Sequence, residues 1–445
     1  MAGRPSKNRQ LDVWMNGELV GHWTTNVQRV QKFAYSDDWL GNVMRRPLSL
    51  SLPLSIGSRG YAGQQVAAYF DNLLPDNDVI RNRLATRTGA ASSGIFDLLE
   101  KIGRDCVGAV QLMPAGEPPA EVRAIHSRPL TDEEVAARLD GAISKVGLGA
   151  GDDEDEYRIS IAGAQEKTAL LRYQDRWHVP SGATPTTHIF KLPLGEVGDV
   201  RADFSLSVEN EWLCAKIVQA YGLNAADCSI ETFEHHKVLV VTRFDRKDAG
   251  GWFLRLPQED FCQVFGIAST RKYESKGGPG MGAILGQLRG SITPENDRET
   301  FLKAQLVFWM LAATDGHAKN FSIFIRPEGH YQMTPLYDIL STWPAVGNGP
   351  RKFRWGKIKL AMALRAKNSH YRMVDIRRRH WNEVAKHNAL GDSFEGVIRD
   401  VIERTPHVIE KVAALLPANF PDSVAGPIFE GLKSQAERLT LQACE

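Results

Sequence analysis

The tightest constraint on this chain is a short polar stretch held between two apolar ones. Thr314-Asp315-Gly316-His317-Ala318-Lys319-Asn320 follows a helix-patterned run with Phe301, Leu302, Leu306, Val307, Trp309 and Met310. It runs directly into Phe321 to Ile325, which reads as a buried strand. A turn near Gly329 and the stretch Tyr331 to Asp338 then return the chain as a hairpin ending in Tyr337-Asp338-Ile339. Polar side chains pinned between two buried elements carry a desolvation cost, so they need a task.

The chain has 445 residues, enough for about two to three domains. At 43% hydrophobic and 24% charged it can build a full core, which excludes wholesale disorder. The net charge of +1 excludes a globally basic or acidic chain but not a local basic face. Cys106, Cys214, Cys228, Cys262 and Cys444 are scattered and make no C-x-x-C pair, so neither a disulfide framework nor a zinc ribbon is indicated. The basic N-terminus is followed by no apolar h-region, and no stretch reaches ~18 uninterrupted apolar residues. A soluble, cytoplasmic protein that does not engage a membrane is the expectation.

Val13-Trp14-Met15, Asn16-Gly17 and Glu18-Leu19-Val20 predict a β-hairpin, because Asn-Gly supplies the positive φ values of a I′ turn. Val66 to Leu74 and Phe96 to Ile102 have helical spacing, and Val107 to Met113 reads as a strand. A connector from Pro114 to Glu156 carries a helix after Thr131 and ends in the acidic run Asp152 to Glu156, read as a solvated loop. Short strands follow at Tyr157 to Ile161, Thr168 to Tyr173, Thr187 to Leu192 and Lys237 to Phe244, interrupted by one strong helix, Val208 to Tyr221. From about Pro257 the pattern is mainly helical. A β-rich half followed by a helical half predicts two lobes with a ligand cleft between them.

Asp-x4-Asn, a hairpin, then a second Asp is the layout kinases use for phosphoryl transfer. The first Asp orients the attacking hydroxyl; the Asn and the second Asp hold Mg²⁺ against the ATP phosphates. Asp315, Asn320 and Asp338 offer hard oxygen ligands and no sulfur, which suits Mg²⁺. The bland alternative is a pair of side-chain turns after a helix. Upstream, Ala162-Gly163-Ala164-Gln165-Glu166-Lys167 lies between two predicted strands and could approach phosphates through its backbone, or be a plain hairpin turn. It is not a Walker A loop, because Glu166 stands where glycine should precede the lysine. Lys191, on an apolar strand, is placed to contact phosphate, its alternative being an edge lysine in solvent. Glu209 and Glu211 are both candidates to pair with it. Thr242 and Phe244 follow a buried strand and are the expected adenine hinge.

Four stretches resemble the HipA kinase toxin family. They are Arg45 to Leu54, Phe70-Asp71-Asn72-Leu73-Leu74-Pro75-Asp76, Ile159 to Thr168, and Thr314 to Asn320. The resemblance spans nearly the whole chain. It implies an α+β, bilobal protein-kinase-like fold with an extra N-terminal subdomain: residues 1–115, a β-rich lobe over 116–256 and a helical lobe over 257–445. It implies a serine/threonine-protein kinase of a bacterial toxin–antitoxin pair that uses ATP and Mg²⁺. Such kinases phosphorylate glutamyl-tRNA synthetase, slow translation and promote persistence. They are held by a HipB-like helix-turn-helix antitoxin dimer, in a repressor complex on operator DNA. Carried over, Asp315 is the catalytic base, Asn320 and Asp338 are the Mg²⁺ ligands and Lys191 is the ATP lysine. Ala162 to Lys167 lie over the phosphates, Thr242 and Phe244 form the hinge, and Ser160 is the autophosphorylated serine. Without the resemblance, Ser160 reads as a buried strand serine. No H-R-D precedes Asp315; His317, two residues after it, is a candidate ATP contact of open role.

Arg351 to His380 holds eleven Lys/Arg and one acid, Asp375. It reads as a solvated face or as phosphate contacts to operator DNA, with Arg377, Arg378 and Arg379 the candidates. The Gly-rich loop Lys276 to Gly282 opens no βαβ unit, and His235-His236 has no spaced metal-binding partner. The rival reading is a catalytically silent, DNA-bound co-repressor scaffold.

Overall fold

A computed structural model describes residues 8–54, 60–143, 159–160 and 165–442. The Arg9–Met15 and Glu18–Thr25 strands form the expected hairpin, with Asn16 (φ 51°) and Gly17 (φ 88°) at its turn. They lie in a five-stranded sheet whose order is Tyr61–Ala62, Gln31–Tyr35, Glu18–Thr25, Arg9–Met15, Val110–Pro114. Alternation sends Leu11, Val13 and Met15 to one face, with Trp23 directly opposite Leu11. The Gln64–Asp71 and Ile95–Ile102 helices cover that face, and Trp23 stacks on Phe70 with ring centroids 3.8 Å apart.

A six-stranded sheet follows, in the order Cys228–Phe233, His236–Thr242, His188–Lys191, Lys167–Tyr173, Arg176–Pro180, Ser127–Pro129. Val238 and Val240 pack with Val135 and Leu139 of the Asp132–Ile143 helix. Leu239 faces the other way, into the larger core that holds the Ser207–Ala220 helix. Burial on both faces explains why Val238, Leu239 and Val240 are apolar in succession instead of alternating.

The Pro294–Met310 helix is the spine of the second lobe and is buried almost all round from Phe301 onward. The Glu395–Ala413 and Asp422–Leu441 helices pack on each other and on the Ser207–Ala220 helix, which both lobes therefore share. A three-stranded sheet of Gln258–Asp260, Ser322–Ile325 and Tyr331–Met333 receives the chain as it leaves the Thr314–Asn320 stretch. The architecture is the α+β, bilobal one expected.

Some elements differ from expectation. A second hairpin, Lys359–Arg365 with Ser369–Arg372, lies inside the basic stretch, and Leu360 to Leu364 are buried. The cations flanking that strand masked its apolar centre. Two small hairpins, Gly195–Val197 with Ala202–Phe204 and Arg246–Asp248 with Phe253–Arg255, were also unforeseen. The acidic run Asp152 to Glu156 lies outside the described residues.

The N-terminal unit is tied to the first lobe by a buried knot of charge. Asp105 accepts from Arg246 Nη2 at 2.9 Å, Arg255 Nη2 at 3.2 Å and Arg243 Nη1 at 3.3 Å. Asp245 accepts from Arg243 Nη2 at 2.8 Å. The short Asp105–Cys106 strand also pairs, parallel, with Ile159–Ser160.

Candidate functional site

The lobes and the N-terminal unit meet at a cleft of about 230 Å³ lined by Lys167, Lys191, Thr242, Asp315, Asn320 and Asp338. Gln165, Phe244 and His317 line it too. On the His188–Lys191 strand, Phe190 turns into the core and Lys191, one residue on, turns into the cleft. Its ammonium donates to Glu211 Oε1 and, at 2.7 Å, to Asp338 Oδ1. Burial alone would drive Lys191 towards its neutral form. Asp338 and Glu211 outweigh burial and hold it charged, above the ordinary lysine value. Burial likewise opposes charge on Asp338, but Lys191 and Lys167 hold its carboxyl well below the usual range. Of the two candidate glutamates, Glu211 takes this role. Glu209 is two residues away, ~200° around the helix, and accepts instead from Lys237 Nζ at 2.7 Å.

The Pro294–Met310 helix ends at a tight reversal in which Ala312 has φ 48°. Beyond it the Asp315 to Asn320 segment is braced by its own atoms. His317 N–H donates to the Asp315 carbonyl at 2.7 Å, and Asn320 Nδ2 donates to the same carbonyl at 2.8 Å. Using the Asn320 amide nitrogen this way leaves its oxygen as the acceptor. The Asp315 side chain is 52% exposed and accepts a hydrogen bond from the Tyr273 hydroxyl. His317 is buried, with Nε2 3.7 Å from Asp315 Oδ1, and neither ring nitrogen makes a hydrogen bond. Burial pushes its imidazole down to about 4, so the ring is neutral near pH 7. Asp338 has φ 60°, a left-handed conformation unusual for a residue with a side chain and typical of functional sites.

Upstream, Ala162, Gly163 and Ala164 lie outside the described residues, as does the side chain of Ser160. Gln165 Nε2 donates to the Leu192 carbonyl, and Glu166 pairs with Arg83 of the N-terminal unit. Lys167 lies half-buried in the cleft, where desolvation and then the neighbouring Lys191 push it down to about 8. At the expected hinge, Thr242 N–H already donates to the Asp227 carbonyl at 2.8 Å. Phe244 packs its ring against Tyr337 and Phe324.

Sequence reasoning missed the charged groups behind the loop. Asp76 of the N-terminal unit, its side chain 9% exposed, pairs with the buried Lys319 and with the half-buried Lys272. The available signals were Lys319, a cation next to Asn320 with an apolar strand immediately after, and the family-like stretch Phe70 to Asp76, neither of which points to the other.

Among the basic residues, Arg377 and Arg379 are exposed but Arg378 is not. Arg378 is buried, pairs with Glu395 and donates to the Leu439 carbonyl at 2.9 Å. That corrects the expectation for Arg378: a guanidinium spent inside the fold cannot reach a DNA phosphate. His235 and His236 do find a partner, Asp140, whose Oδ1 lies 3.5 Å and 2.8 Å from their Nε2 atoms.

Two family models match this chain: "HipA N-terminal domain" over residues 11–113 and "HipA-like C-terminal domain" over residues 159–409. A curated relative in Sinorhizobium fredii, named "Putative kinase Y4mE", is 33% identical over 94% of this chain and 97% of its own. The chain belongs to the HipA family. A second HipA relative, the "Serine/threonine-protein kinase toxin HipA" of Shewanella oneidensis, is 28% identical over 74% of this chain and 73% of its own. The fold matches a HipA chain solved in a Shewanella oneidensis complex of HipA, HipB and operator DNA. There the TM-score is 0.79, with 24% identity and 97% of both chains covered. Both family models include residues that meet at the cleft, Asn72 and Asp76 from the first, Lys191, Asp315 and Asp338 from the second.

Proposed function

We propose that this HipA-family chain is a Mg²⁺-dependent serine/threonine-protein kinase that moves the γ-phosphoryl of ATP to a protein hydroxyl. The observation that carries the reading is Lys191 held between Glu211 and Asp338, with Asp315 and Asn320 in the same cleft.

The residues fit such a ligand. Asn320 and Asp338 offer the hard oxygens that Mg²⁺ prefers. Lys191 offers a fixed cation for phosphate oxygens. His317 holds two buried ring nitrogens with no hydrogen-bond partner, polar atoms that a bound ligand would satisfy. Bound Mg·ATP supplies the phosphoryl group and neutralises the carboxylates around it. Asp315 orients the acceptor hydroxyl and takes its proton; the acceptor competes with Tyr273 for that carboxylate. Glu211 fixes Lys191 in place. Ala162 to Lys167 cover the phosphates. The Thr242 to Phe244 backbone serves adenine through groups other than the engaged Thr242 N–H. Ser160 is the autophosphorylation site, where a phosphate adds roughly −1.5 to −2 charge beside the nucleotide loop.

In this reading residues 1–115, 116–256 and 257–445 are the three units of a toxin. A HipB-like antitoxin dimer holds it and operator DNA binds the complex, by analogy with the Shewanella oneidensis assembly of HipA, HipB and operator DNA. Arg377 and Arg379 are the remaining candidates for DNA phosphate. Glutamyl-tRNA synthetase is the proposed acceptor, with slowed translation and persistence the consequence. The setting is cytoplasmic; among the described residues no helix is long and apolar enough to cross a membrane.

Intact-mass spectrometry with and without Mg·ATP tests the reading on the wild type, Asp315→Ala and Ser160→Ala. The wild type gains one phosphate, Asp315→Ala gains none, and Ser160→Ala gains none while still hydrolysing ATP. Equal phosphate gain by wild type and Asp315→Ala contradicts the assignment of Asp315 as the base, and no gain by the wild type contradicts the kinase reading.

A further inference from the structure

The Asp315 to Asn320 segment has a partner outside the two lobes. Lys319 sits inside it, next to Asn320, and its ammonium is buried. It donates to Asp76 Oδ1 at 2.6 Å and to the Asn72 carbonyl at 3.2 Å. Both acceptors come from the N-terminal unit, in the Phe70 to Asp76 stretch. The second oxygen of Asp76 accepts from Lys272 Nζ at 2.8 Å. Lys272 precedes Tyr273, whose hydroxyl is on Asp315, and the Lys272 carbonyl receives the Ala318 N–H at 3.4 Å. One largely enclosed carboxylate, Asp76, therefore joins two segments that converge on Asp315, each bound to a different Asp76 oxygen.

We propose that Asp76 is a positioning residue for phosphoryl transfer: the N-terminal unit reaches into the kinase site through it and holds Lys319 and Lys272, and with them the Asp315 to Asn320 segment. The inference rests on the kinase reading above and deepens it. Asp76 touches no reacting atom. It acts through Lys319, which shares its backbone with Asn320, and whose carbonyl is also held by the Tyr337 hydroxyl at 2.8 Å.

The electrostatics agree with the geometry. Burial penalises the Asp76 carboxylate, but Lys319 and then Lys272 outweigh burial and keep its carboxyl well below the usual range. Asp260, the other acid lining this part of the cleft, is pushed by burial up to about 7, so it cannot replace the full charge of Asp76 near neutral pH. Removing Asp76 leaves two cations beside the catalytic segment with no ionised partner of comparable strength.

Docking of the N-terminal unit does not depend on Asp76. Asp71 Oδ2 accepts from Ser269 N–H at 3.0 Å and from its hydroxyl at 2.6 Å. Asn72 Nδ2 donates to the Ile267 carbonyl at 2.8 Å, and Gln263 Nε2 donates to the Tyr69 carbonyl at 3.1 Å. The Asp105 knot adds a separate attachment. An Asp76→Asn chain therefore keeps its subdomain in place, which separates positioning from folding.

The test uses the full-length chain as wild type, Asp76→Asn, Asp76→Glu and Asp315→Ala. Mg·ATP turnover, ADP affinity by calorimetry, melting temperature and amide exchange over residues 315–320 are measured for each. Asp76→Asn is expected to lower turnover about 10- to 100-fold, the cost of a small misplacement of catalytic groups. Measured well below the melting transition, which itself falls because Lys319 and Lys272 lose their carboxylate, ADP affinity stays near wild type, amide exchange over 315–320 speeds up, and Asp76→Glu restores part of the turnover. Wild-type turnover in Asp76→Asn overturns the proposal. So does a parallel fall in turnover and ADP affinity under conditions where the variant is folded, because Asp76 would then act only through folding. If Asp315→Ala turns over ATP like the wild type, the kinase reading fails instead. Amide exchange then still decides whether Asp76 holds the segment: unchanged exchange in Asp76→Asn overturns that too.

Discussion

Lys191 Nζ, on the first-lobe sheet, lies 2.7 Å from Asp338 Oδ1 of the second lobe. Without Glu211 on its other side, that ammonium would belong to Asp338 alone. Asp338 would then be a poorer metal ligand, since its charge would already be answered. Glu211 shares the lysine and leaves Asp338 able to take a cation.

Glu211→Gln is therefore expected to raise the KM for Mg·ATP about tenfold or more while the chain still folds. Extra Mg²⁺ relieves part of the defect, because it competes with Lys191 for Asp338. Steady-state kinetics at two Mg²⁺ concentrations check this. An unchanged KM would show that Glu211 has no part in nucleotide binding.

Asp105→Asn should destabilise the chain by about 3–5 kcal/mol, the usual cost of stripping the partner from buried charge. Asp105 is buried and serves Arg243, Arg246 and Arg255 at once. With it neutral, Asp245 is left to answer Arg243 and Arg246, and Arg255 loses its ion pair. Denaturant unfolding of the variant against wild type measures the loss. A change below ~1 kcal/mol would mean that the knot does little for stability.

Stability should fall as pH rises from about 6.5 to about 8, above the range in which His317 adds a slope of opposite sign, and Glu259 is a main cause. Its carboxyl is buried, accepts from the Leu50 N–H at 2.8 Å, and is pushed by burial up to about 8. The folded chain keeps this proton while the unfolded chain loses it above ~4.3. The unfolded state thus binds fewer protons across that window, so unfolding is favoured as pH rises. Asp260, raised to about 7, adds a slope of the same sign. Glu259→Gln should flatten the curve without abolishing it. A melting temperature that climbs between about pH 6.5 and pH 8 contradicts the assignment.

The parts of the site that were legible in the sequence share a local cause. The Asp315 to Asn320 stretch stood out because polar residues interrupted two buried elements, and Asp338 because a hairpin returned to it. Lys191 stood out as a charge on an apolar strand. What stayed hidden depends on contacts between distant segments. Glu209 and Glu211 differ only in helix rotation, and their partners Lys237 and Lys191 decide the matter through the tertiary fold. Asp76 lies 243 positions from Lys319, a pairing no local pattern encodes. Arg378 looked like its neighbours in composition, yet a helix face turns it inward to Glu395 while Arg377 and Arg379 stay outside. The Lys359–Arg365 strand was missed because charged residues at its ends outweighed the buried Leu360 to Leu364 in the pattern of the stretch.

Lys191, Asn320 and Asp338 are proposed to bind one Mg²⁺-nucleotide in the cleft beside Asp315. Calorimetric titration of the wild type and Asp338→Asn with a non-hydrolysable ATP analogue, with and without Mg²⁺, tests it most directly. The wild type is predicted to bind tightly only when Mg²⁺ is present, and Asp338→Asn to lose that Mg²⁺-dependence. Equal binding by both proteins, or binding by the wild type that ignores Mg²⁺, would contradict it.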